Sequence, residues 1–95
     1  MTLAELKASL SGDAPPADLP ATVQALWYDA RGDWDEAHRV AQDINDADGS
    51  WVHAYLHRRE GDLSNAAYWY RRAGKPRSSA PLEDEWGQIA EALLG

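Results

Sequence analysis

Two glycine–aspartate pairs, Gly32-Asp33 and Gly61-Asp62, lie 29 residues apart, each between segments whose apolar residues recur at helical spacing. Such a pair stops one helix and starts another. The glycine takes the positive φ that follows a helix, and the aspartate carboxylate accepts from first-turn N–H groups of the next. A chain punctuated in this way folds into helical hairpins. The residue supply agrees: Ala, the strongest helix former, contributes 17 of 95 residues, while Val and Ile contribute only 3 and 2. The expected fold class is all-α, a single domain with one modest core.

The remaining punctuation predicts about six helices. An N-terminal helix spans 1–10, opened by a Thr2/Glu5 capping box and lined by Leu3, Leu6 and Leu10. Residues 11–20, SGDAPPADLP, form a Pro/Gly-rich linker. Asp18 is expected to cap the next helix, with Pro20 in its first turn. A first hairpin covers 21–46, with Val23, Leu26, Trp27 and Ala30 on one helix and Trp34, Ala37, Val40, Ala41 and Ile44 on the other. The segment NDADGS (45–50) reads as a turn, with a helix from Trp51 to Glu60 after it. The second hairpin, 50–75, continues through Leu63, Ala66, Ala67, Tyr70 and Ala73. A C-terminal helix in 81–95 carries Leu82, Trp86, Ile89 and Leu93. Large side chains are mostly aromatic (5 Trp, 4 Tyr, no Phe), so close helix contacts through Ala should leave gaps that indoles and phenols fill.

Superposing the two Gly-Asp pairs aligns Val23 with Val52, Ala25 with Ala54, and Ala37 with Ala66. The unit ALWYDARGDWDEAHRVA (25–41) resembles a tetratricopeptide repeat. Ala25 takes its small-residue position, Tyr28 the following aromatic, Gly32 and Asp33 its turn, Trp34 the aromatic after it, and Ala37 its second small residue. Ala54, Gly61, Asp62 and Ala66 match in the second unit. The chain departs from the pattern in its 29-residue period against the usual 34 or so, in Ala21 replacing the leading Trp, and in His57 at an aromatic position. An ordinary helical bundle with two similar hairpins is the plainer alternative.

The resemblance implies a two-unit α-solenoid, capped in front by the first helix and behind by the last. It also implies that the first helix of each unit lines a concave groove presenting Leu26, Asp29, Trp51, Tyr55, Arg58 and Arg59. Trp51, Tyr55 and Arg58 share one helical face by spacing alone. Aromatics beside Arg make peptide-recognition hot spots, and Arg grips carboxylates bidentately. The competing reading is that Trp51 and Tyr55 pack the core.

Charge restricts the partner class. The net charge of −7 argues against nucleic acid and anionic membranes. Basic residues concentrate in 51–79, as Arg58, Arg59, Arg71, Arg72, Lys75 and Arg77. They form either a solvated face paired with the acidic remainder or a site for an acidic protein or peptide. Tyr68, Trp69 and Tyr70 are consecutive and cannot all face one core. Trp69 lies off the apolar stripe and is expected at the surface, a candidate for self-association.

Zero cysteines exclude disulfides, thiolate metal sites and a cysteine nucleophile. No cofactor motif is present, and no metal is expected. His53 and His57, spaced i, i+4, are the weak candidate pair, with His38 or a remote carboxylate needed as a third ligand. The leading expectation is a cytoplasmic protein–protein or peptide-binding module. A small-ligand binder or compact enzyme using His53, His57 and Tyr55 with nearby Arg, or His57 with Asp29 or Glu60 as acid–base pair, is the second reading. A structural, self-associating subunit is the third.

Overall fold

The computed structural model describes residues 1–94, which form six α-helices and no strand. These are α1 (Leu3–Ser9), α2 (Ala21–Ala30), α3 (Trp34–Gln42), α4 (Ala47–Arg59), α5 (Leu63–Ala73) and α6 (Leu82–Leu94). The expected capping box is present: Thr2 Oγ1 accepts from Glu5 N–H, and Glu5 Oε1 accepts from Thr2 N–H. Both Gly-Asp turns share one geometry. Gly32 and Gly61 sit at φ +83° and +89°, and Asp33 and Asp62 accept from the backbone N–H three residues on. A β-branched side chain is strained at such a φ. Gly61→Val is therefore expected to lower unfolding free energy by more than about 1 kcal/mol, measured by urea denaturation. An unchanged midpoint would contradict a fixed turn.

Two helix starts differ from expectation. Pro20 stands outside α2 as its N-cap, and no side chain caps that helix, so Asp18 does not serve. The helix α4 begins at Ala47, not Trp51, because Asp46 accepts from Gly49 N–H at 2.8 Å. Turn-like composition was here the signature of a helix N-terminus. Gly49 has a second duty, since a Cβ there would stand 2.5 Å from the Ile44 carbonyl oxygen. Only glycine lets α4 start this close to the end of α3.

Pairs α2–α3 and α4–α5 pack against each other, and α3 packs on α4. Alanines Ala25, Ala37, Ala54 and Ala66 are all buried, so helix backbones approach closely. Indoles then tie the helices together through backbone carbonyls. Trp34 Nε1 donates to Leu56 O and Trp86 Nε1 donates to Leu26 O, both at 2.8 Å. An N–H satisfied in this way lets a large ring stay buried without an orphaned donor.

The last helix packs against α2 and α4, one helix from each hairpin, with α1 packed on it. Trp86, Ile89 and Ala90 enter the main core beside Leu6, Leu26 and Tyr55.

Candidate functional site

The face expected to be an open groove is the face α6 covers. Leu26 and Tyr55 are buried in the core, at 0% and 1% exposure, and Asp29 is buried with them. Tyr55 hydroxyl donates to Asp29 Oδ2 at 3.0 Å. Burial raises both groups above their ordinary pKa values; for Asp29 the nearby Arg59 and the Tyr55 hydroxyl oppose that rise. Arg59 Nε lies 3.0 Å from Asp29 Oδ1, yet its N–H is not aligned on that oxygen, which accepts no hydrogen bond. The contact is an ion pair without a directed bond. A cleft of about 430 Å³ remains there, lined by Lys7, Leu10, Asp29, Tyr55, Arg59 and Trp86.

Arg58 is engaged within the fold. It donates to Glu85 Oε1 at 2.8 Å and to the Ala80 carbonyl, while Tyr70 hydroxyl donates to the other Glu85 oxygen. Glu85 is itself buried, at 2% exposure. This network fastens α4 and α5 to α6 and consumes the cation that was expected to grip a partner. Of the predicted groove residues, Trp51, Arg58 and Arg59 keep part of their surface exposed. Lys75 Nζ lies over the Trp51 ring, 4.3 Å from its centroid.

The consecutive aromatics divide differently from expectation. Tyr68, not Trp69, is the exposed one, at 41%. Trp69 is partly buried because its ring stacks on His53, centroids 3.9 Å apart and planes within 16°. Arg72 lies over Trp69 and Tyr68 at 5.1 and 5.9 Å. With Arg71, Lys75 and Arg77, it makes α5 and the following turn a cationic, aromatic surface. A cleft of about 390 Å³ runs between Ala67, Arg71, Lys75 and Arg77.

Behind Trp69 the histidines meet. His53 and His57 lie one turn apart on α4 and stack at 4.7 Å, and packing of α3 on α4 brings His38 against both. His38 Nε2 and His53 Nε2 are 3.0 Å apart, so one donates to the other. His57 Nδ1 lies 2.6 Å from Glu60 Oε2. A carboxylate only accepts, so Nδ1 carries a proton; in the neutral ring the lone pair is then on Nε2. Nε2 faces the Asn65 amide nitrogen at 3.4 Å. Trp34 stacks on His38 at 4.9 Å, so Trp34 and Trp69 flank the cluster. Burial pushes His53 down to about 4, helped by repulsion from His57 and His38, and burial lowers His38 as well.

Spacing alone brought out His53 and His57 as a pair; His38 joins them only through α3–α4 packing. Glu60, Asn65 and Trp69 carry no motif that would have marked them as neighbours of the histidines. Compared with known protein families, curated proteins and solved structures, the chain matches none.

Proposed function

We propose that the protein is a tetratricopeptide-like interaction module that binds an acidic protein segment on the surface of α5 and the turn following it. The reading rests on four cations. Arg71, Arg72, Lys75 and Arg77 have no carboxylate within ion-pair distance among the described residues, in a chain carrying 16 acidic residues. An acidic protein that keeps four cations together and unpaired has a local field opposite to its net charge, which steers an anionic partner to that face. Exposed Tyr68 and half-buried Trp51 supply the aromatic area that recognition surfaces favour. The two hairpins with matching Gly-Asp turns support the repeat reading. In this arrangement α6 fills the concave side, and recognition moves to the other face.

The test is a fluorescence titration with a Glu-rich peptide at low and high salt. Affinity is expected to fall steeply with salt. Arg71→Glu combined with Arg77→Glu is expected to weaken binding by about tenfold or more, with the melting temperature nearly unchanged, because exposed charges contribute little to folding. Equal affinity in the charge-reversed protein would remove the proposal.

A further inference from the structure

We propose that His38, His53 and His57 form a three-histidine site for a divalent cation of the zinc class, with Glu60 as the carboxylate that orients His57. This proposal is independent of the α5 surface. It rests on the convergence of three ring nitrogens, one from each histidine, all within 4.8 Å of one another. Zinc–nitrogen bonds of about 2.0–2.1 Å in a tetrahedron place ligand nitrogens roughly 3.3 Å apart. The His38–His53 separation of 3.0 Å is already close to that edge. The third nitrogen, on His57, lies within 4.8 Å of the other two, so loading a metal draws it inward by a small side-chain and backbone adjustment.

The surroundings are those of a ligand set as much as of a packed core. Glu60 holds His57 Nδ1, which leaves Nε2 facing the Asn65 amide as the nitrogen available to a metal. A carboxylate on the far nitrogen of a ligating imidazole fixes the tautomer and raises ligand basicity. Trp34 and Trp69 stack on His38 and His53 and hold the rings in place. Trp34 is itself anchored by its bond to Leu56 O. His53 and His57 are each only 6% exposed, while His38 is half-buried, so the cluster opens toward solvent on the His38 side. Three imidazoles with a fourth position open to water make a coordination set that suits zinc, copper or nickel rather than magnesium or calcium, which prefer oxygen ligands.

The test uses the full chain, stripped of metal with chelator and dialysed, then titrated with Zn²⁺ by calorimetry. Saturable 1:1 binding is expected, with a rise in melting temperature on loading. Cobalt, in place of zinc, should give the intense visible absorption of a four-coordinate site. His38→Gln, on the solvent side of the cluster, should abolish that absorption and weaken zinc binding by more than about tenfold. Glu60→Gln, which leaves all three ligands in place, should weaken zinc by roughly 10–100-fold. If His38→Gln does not fold, Glu60→Gln alone decides. Absence of 1:1 binding, or zinc affinity unchanged in the folded variants, as scattered surface carboxylates would give, overturns the site.

Discussion

Arg58→Ala is expected to lower the unfolding free energy by about 3–5 kcal/mol, the usual result of breaking a buried ion pair from one side. The reason lies on Glu85. Its carboxylate has side-chain exposure of 3% and is held by Arg58 and the Tyr70 hydroxyl. Without the guanidinium, a buried anion keeps one neutral donor, and the Ala80 carbonyl loses its partner. Replacing both members with apolar residues, Arg58→Met with Glu85→Leu, should recover much of the loss, because no charge is then left buried. Urea denaturation of the three proteins reads this directly. A loss below about 1 kcal/mol for Arg58→Ala would mean that Arg58 is a surface residue, available to a partner after all.

Acid should destabilise the metal-free protein well before its carboxylates titrate. Folded His53 stays neutral down to about pH 4, whereas the unfolded chain takes up its proton near the ordinary histidine value of 6.5. Between these values the unfolded state binds more protons, so stability is complete above pH 6.5 and falls as pH drops toward 4. Full separation of the two values corresponds to roughly 3 kcal/mol, and His38, lowered for the same reason, adds to it in the same direction. Asp29 acts oppositely: its raised folded value makes the folded state bind more protons just above pH 3.8. His53→Gln should flatten the slope between pH 6.5 and 4, measured as unfolding free energy against pH. An undiminished slope in that variant would place the proton uptake elsewhere.

The helical class and the positions of the breaks were legible because they depend on local chemistry. Gly32, Gly61 and the Thr2/Glu5 box behave in the fold as their residue types dictate. The start of α4 was misread for a local reason too: Asp46 and Gly49 have turn composition, and only the close approach of Ile44 shows what the glycine is for. Long-range placement was not legible. The stripe Leu82, Trp86, Ile89 says that α6 buries one face, and the same stripe fits an end cap or a groove filler equally well. Its resting place on α2 and α4 is fixed by Trp86 bonding Leu26 O and by Glu85 meeting Arg58, contacts that span 60 and 27 residues.

The same limit applied to the candidate sites. Tyr68 and Trp69 are neighbours on one helix, and which of them faces water depends on His53, an aromatic partner on a different helix. His38 was visible only as one of several remote ligands, since its distance from His53 depends on how α3 packs on α4. Arg58 looked available because the spacing that aligns it with Trp51 and Tyr55 is silent about Glu85.

The central claim is that α6 occupies the concave face and leaves recognition to α5. It is tested most directly by nitrogen-15 NMR of the labelled protein titrated with a Glu-rich peptide. Shifts are expected at the amides of Tyr68, Arg71, Arg72 and Lys75 and at the Trp51 indole, with Leu26, Tyr55 and Ile89 unmoved. Shifts concentrated at Leu26, Tyr55 and along α6 would show the helix giving way to the peptide, and would contradict it.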